Sequence, residues 1–196
     1  IYIDPKAWGS VLFMLVSFVT GVVYFTWAIA GLSLSISLSL FIFGLPIALF
    51  FLVSVRGITL LEGRLVEAML GVRMPRRSIF APREGKLIER IKVLISDKHT
   101  WLGLLYMVVQ FLLGTIYFVV LVTLFSISLS GFAIPIIQLV FHFPIIQLGS
   151  TSYFLPTAAL PLTALGDFLL LTLTLHLAKG IGQLHGRYAK SILVGD

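Results

Sequence analysis

The chain has 196 residues, 59% hydrophobic and 11% charged, with a mean hydropathy of +1.08. A water-soluble domain keeps roughly 25% of its residues charged, so this composition excludes an ordinary soluble fold and implies a bilayer as solvent. The net charge of +6 sits beside apolar runs, which points to anionic lipid headgroups rather than nucleic acid as the counter-charge. With no cysteine, disulfides, thiolate metal sites and cysteine nucleophiles are excluded. The chain starts at Ile1 rather than methionine, so some sequence is expected before it. Lys6 precedes an apolar run long enough to span, which is not the pattern of a cleavable signal.

Four transmembrane helices are expected, at 8–32, 33–55, 101–127 and 160–178, each near the roughly 20 residues that cross hydrocarbon. The second contains Pro46, read as a kink. Residues 32–40, LSLSISLSL, alternate with period two, as a strand would. A lone strand in lipid would leave its backbone groups unpaired, so the stretch reads as helix, its serines bonding back to carbonyls.

After the second span, residues 56–71 place Ile58, Leu61, Leu65 and Met69 on one helical face, with arginine on the other. Residues 180–194 do the same with Ile181, Leu184, Tyr188 and Ile192. Such a composition suits a helix lying in the headgroup plane. A third interfacial helix is expected over 86–96, kept separate by Pro75, Pro82 and Gly85. All fourteen Lys and Arg residues fall before span one, between spans two and three, or after span four. The positive-inside rule then puts both termini and the central loop in the cytoplasm.

The sequence repeats. Residues 8–25 align with 101–118 at an offset of 93, matching Trp8, Met14, Phe18, Gly21, Tyr24 and Phe25 to Trp101, Met107, Phe111, Gly114, Tyr117 and Phe118. At an offset of 123, Arg56, Gly57, Ile58, Leu61, Gly63, Arg64 and Leu70 match Lys179, Gly180, Ile181, Leu184, Gly186, Arg187 and Leu193. The expected fold is therefore all-α and polytopic, a single membrane domain of two tandem two-span repeats. Repeat one covers 8–72, a basic linker 73–100, and repeat two 101–194, with an outer connection at 128–159. An even number of spans per copy gives both copies one orientation, with the pseudo-twofold axis along the membrane normal.

Candidate chemistry is sparse. Asp167 is the sole acid outside the segments read as cytoplasmic, and an intramembrane acid is a functional candidate by default. Its plainer reading is a helix-end group reaching water or a neighbouring hydroxyl. His176, near the inner end of span four, and His142, in the outer connection, lack a second ligand at metal spacing. Asp167 and His176 lie nine positions apart, half a turn out of phase. His99 and His185 fall among headgroup-level residues. The outer connection, with Tyr153, is apolar, aromatic and uncharged, and is the first choice for signal or partner contact. Arg73, Arg76, Arg77 and Arg83 would meet lipid headgroups or a partner. Gly21 and Gly114 read as close helix contacts, with Tyr24 and Tyr117 bonding across the bundle. No phosphate-binding loop, nucleophile elbow, paired carboxylates or metal cluster is present, so neither catalysis nor a cofactor is expected.

The runs GTIYFVVLVTLFSISLSGF, GLPIAL, RGITLLEGRLVEAMLGVRMPRR and HLAKGIGQLHGRYAKSIL resemble the "putative sensor" domain. That domain forms the membrane input region of bacterial and archaeal two-component histidine kinases and also occurs as short stand-alone proteins. The resemblance covers nearly the whole chain and implies four helices and a signalling or regulatory role, but no catalytic residues. An arginine-rich turn such as "ER" is usual after span two, from which Glu62 with Arg64 departs slightly. The resulting expectation is a non-enzymatic sensor in a prokaryotic cell membrane, in contact with lipid and reporting to other membrane or cytoplasmic signalling proteins. The alternative is a structural or accessory subunit of a larger membrane complex.

Overall fold

The structure, a computed structural model, describes residues 1–38, 44–74, 87–144, 146–148 and 151–193. In chain order the elements are α1 (Pro5–Leu38), α2 (Gly44–Leu70), α3 (Leu87–Ser96), α4 (Lys98–Phe141), β1 (Ile146–Leu148), β2 (Thr151–Tyr153) and α5 (Leu160–Leu193). All but α3 among the helices are long and apolar enough to cross a membrane. The strands form a two-stranded antiparallel ribbon with Gln147 opposite Ser152.

Local chemistry sets the helix ends. Asp97 caps α4 by accepting the His99 N–H at 3.1 Å, and Asp4 does the same for Lys6 at 3.0 Å before α1. Gly71, with φ of 70°, follows α2 and sends its N–H to the Glu67 carbonyl at 3.1 Å. That left-handed turn suits glycine. Pro46 lies in the first turn of α2, where its missing N–H breaks no helical bond. The kink expected there is therefore a helix start.

Several boundaries differ from those expected. Ser33–Leu38 belong to α1 rather than to the second span, which begins at Gly44. Residues 39 and 40 of the serine-rich stretch lie outside the described residues. The third span runs on through Pro135 to Phe141, so much of the expected outer connection is helix. Gln138 then ties the rest of that connection down, donating to the Leu155 carbonyl at 2.7 Å and accepting its N–H at 3.1 Å.

The segments expected in the headgroup plane continue α2 and α5 without a break. The face each turns inward also differs. Leu61 is 54% exposed and Leu184 67%, whereas Glu62, Gly63, Val66, His185, Gly186 and Ala189 are buried. Leu61 and Leu184 thus lie outside, while Ile58, Met69, Ile181, Tyr188 and Ile192 of the same stripes are part-buried against the core. Small residues allow this: a Cβ on Gly182 or Gly186 would collide with Leu70 or Val72.

Positions 93 residues apart make matching contacts. The Trp8 indole N–H donates to the Tyr2 carbonyl at 2.8 Å, and that of Trp101 to Ile95 at 2.7 Å. Phe18 stacks on Phe118 at 4.6 Å and Phe25 on Phe111 at 4.8 Å. These pairs are crossed: the earlier residue of one copy meets the later residue of the other. Gly21 likewise packs on Gln110 and Gly114 on Ser17. Such exchange requires α1 and α4 to run antiparallel, with the axis across the helices. The expected common orientation, with the axis along the membrane normal, is thereby corrected.

The cause lies in the linker. Ile91 and Leu94 of α3 share a core with Ala28, Phe51, Leu52 and Val55, so α3 and the start of α4 lie beside the middle of α2 rather than at its end. Arg56 pairs with Asp97 at that level, and Gly103 sits against Val55 and Thr59. From there α4 runs parallel to α2 and against α1. At 44 residues it is about 66 Å long, roughly twice a bilayer's hydrocarbon thickness. It meets α2 at Gly103 and α1 at Gly114, and faces α5 from Tyr106 through Tyr117 to Gly131.

Candidate functional site: a buried carboxylate–histidine network

Where the four long helices meet, a hydrogen-bonded network replaces apolar packing. Glu62 of α2 is 1% exposed. Its Oε2 accepts from the Tyr24 hydroxyl of α1 at 3.0 Å. Its Oε1 accepts from the Tyr106 hydroxyl at 3.0 Å and from Gln110 Nε2 at 3.3 Å, both on α4. The Tyr106 oxygen also lies 3.0 Å from Nε2 of His185 on α5, itself 1% exposed. The opposite ring nitrogen, Nδ1, is 3.2 Å from the Tyr117 hydroxyl.

Aromatic rings wall the network. Phe13 lies 4.7 Å from the His185 ring, and Tyr188 lies 5.6 Å from it and 5.7 Å from Tyr106. Among the described residues no lysine or arginine pairs with Glu62. A buried carboxylate without partners costs several kcal/mol, whereas hydrogen bonds to a charged group return about 1.5–3 kcal/mol each. Neutral donors from α1 and α4 therefore hold it. Ser17 Oγ and Gln110 Oε1 are buried with no protein partner; the two residues are equivalent at the offset of 93.

The arrangement follows the two sequence offsets. At the offset of 123, Glu62 of the first copy stands where His185 stands in the second. At the offset of 93, Tyr24 corresponds to Tyr117, and Phe13 to Tyr106. Tyr24 thus meets Glu62 as Tyr117 meets His185, and Tyr106 bridges acid and base. An acid and a base at equivalent places, joined by one hydroxyl, can hold and pass a proton.

The residues singled out from sequence lie elsewhere. Asp167 is half-buried against Gly131, where a Cβ would collide with its carboxylate. His142 is an exposed left-handed cap at the end of α4. His176 is exposed, with Nδ1 2.9 Å from the Thr172 carbonyl. Tyr153 is exposed on β2. No hydrogen bond joins any two of these four. Arg73 is exposed; Arg76, Arg77 and Arg83 lie outside the described residues. From sequence His185 ranks below His142 and His176, and Glu62 is no site candidate, because their segments read as surface helices. The available signal was the repeat itself: they form one polar, non-identical pair between the matches Leu61/Leu184 and Gly63/Gly186.

A family model described as "Putative sensor" matches residues 13–193. No match was found among curated proteins, and none among solved structures.

Proposed function

This chain belongs to that sensor family, and on that premise we propose that it is a non-enzymatic integral-membrane module that relays a membrane or envelope signal to a partner protein. The observation that carries the reading is the Glu62–His185 network. It draws one hydrogen-bonding group or more from each of α1, α2, α4 and α5. A change of charge or bonding at its centre bears on all four helices at once, which a relay requires. Its aromatic and apolar walls suit signalling by helix rearrangement better than turnover of a substrate.

The test is a downstream response in the native host, compared between the wild-type chain and Glu62→Gln and Tyr106→Phe, each at normal membrane abundance. An altered set-point or amplitude supports the relay. Unchanged responses in both variants refute it. Stoichiometric co-purification with a larger complex, with no response to any envelope perturbation, would favour an accessory subunit instead.

A further inference from the structure

The bond directions inside the network admit two self-consistent arrangements. With Glu62 ionised, Tyr106 donates its single proton to Oε1. The Tyr106 oxygen must then accept from His185, which places the imidazole proton on Nε2. Nδ1 is left with its lone pair and accepts from Tyr117. With Glu62 protonated on Oε1, the three bonds that run through Tyr106, His185 and Tyr117 reverse, while Tyr24 and Gln110 still donate to the carboxyl. The carboxyl donates to the Tyr106 oxygen, Tyr106 donates to Nε2, and the imidazole proton sits on Nδ1, donating to the Tyr117 oxygen.

We propose that Glu62, Tyr106, His185 and Tyr117 form a proton wire with two polarities, and that the ligand this membrane module binds is a proton delivered through Tyr117 to Glu62. Delivery balances without any other reactant. Tyr117 takes a proton from outside the network and passes its own to Nδ1. His185 passes its Nε2 proton to Tyr106, and Tyr106 passes its proton to Glu62. The chain gains one proton, and His185 ends neutral in its other tautomer.

The groups facing this wire are few. From α1 they are Tyr24, on Glu62 Oε2, and the apolar Phe13. From α4 comes Gln110, and from α5 the ring of Tyr188. The nearest charges along α2, Arg64 and Glu67, are exposed. Ion pairs engage Arg56 with Asp97 and Lys179 with Asp4. Among the described residues, then, no neighbouring cation pins Glu62 in its ionised form. The tyrosine hydroxyls can serve either polarity, because each both donates and accepts.

For its purpose the inference rests on the sensor reading; its chemistry stands apart from it. The experiment is nitrogen-15 magic-angle-spinning NMR of the intact chain in lipid vesicles, with the His185 signal assigned by its loss in His185→Gln. The pH is stepped between about 9 and about 5. The expected result is a neutral imidazole throughout, its proton moving from Nε2 to Nδ1 as the pH falls. Glu62→Gln and Tyr106→Phe should each abolish the exchange. A single tautomer at all pH values in the wild-type chain, direct conversion to imidazolium, or the same exchange in a folded Glu62→Gln variant would each overturn the wire. The wild-type measurement decides even if a variant does not fold. A fixed tautomer alongside an altered downstream response in Glu62→Gln would remove the wire and leave the sensor reading intact.

Discussion

Replacing Gly114 by alanine tests the central crossing most directly. The new Cβ would fall 2.7 Å from the Ser17 carbonyl carbon and 3.0 Å from the Phe18 nitrogen, and closer still to the Ser17 oxygen. These are backbone atoms of a helix, so no rotamer change relieves the clash. α1 and α4 must separate by about 1 Å, a small-to-large overpacking that costs typically 1–3 kcal/mol. That separation also loosens the Phe18–Phe118 and Phe25–Phe111 stacks. Alanine's better helix propensity returns about 0.5–1 kcal/mol. The expected net loss is about 1–2 kcal/mol, with a similar loss for Gly21→Ala, whose Cβ would meet the Gln110 oxygen at 2.8 Å and Phe111 Cα at 2.9 Å. Because both changes open one crossing, the double variant should lose less than the sum. Gly57→Ala and Gly180→Ala are the matched controls. Nothing lies within 4 Å of either Cβ, so each should be neutral or gain up to about 1 kcal/mol. The assay is reversible unfolding in mixed detergent micelles. Equal stability of all four variants would refute the packing at the crossing, as would a loss at Gly57 as large as at Gly114.

Three further outcomes are expected. Spin labels at the exposed positions Ser37 and Phe141 should lie about 70 Å apart, from 1.5 Å of rise per residue on either side of the Ser17–Gly114 contact. A distance near 30 Å in bilayers, the reach across one face of a four-helix bundle, would restore a shared orientation of the copies and refute the inversion. Tyr106→Phe keeps the ring but removes the hydroxyl shared by Glu62 and His185, so unfolding should be easier by about 1–3 kcal/mol; an unchanged unfolding midpoint would count against the network. The Lys179 ammonium, helped by the Lys6 N–H, holds the Asp4 carboxyl below its ordinary range. A depressed folded-state value stabilises above the ordinary carboxylate range and is lost as pH falls through the folded value. Thermal melts of wild type and Asp4→Asn should accordingly converge on acidification, and curves that stay parallel into strong acid would remove that tie between the start of α1 and α5.

The long apolar helices were legible because hydropathy accumulates residue by residue: twenty apolar neighbours identify a span whatever lies around it. α3 was legible as an apolar face over 86–96 bounded by Pro82 and Gly85. The network was not, for a specific reason. Glu62 and His185 stand in arginine-bearing stretches whose strongest pattern is the stripe through Leu61 and Leu184, and in water the stripe would face in. In this fold Leu61 and Leu184 face out. The positions beside them, Glu62, Gly63, His185 and Gly186, face in, and a Cβ at Gly182 or Gly186 would collide with the Ser10, Leu70 or Val72 side chains.

Helicity and spans long and apolar enough for a bilayer are readable from the residues because they reside in local composition. The direction in which residues 101–118 run against 8–25 is set by packing between distant segments. A repeat at a fixed offset is equally compatible with parallel and antiparallel copies, and the choice depends on where the linker returns the chain. Here Ile91 and Leu94 find their apolar surface beside Phe51 and Val55, which starts α4 beside the middle of α2. That one packing choice crosses the phenylalanine pairs and brings an acid from one copy within a single hydroxyl of a base from the other.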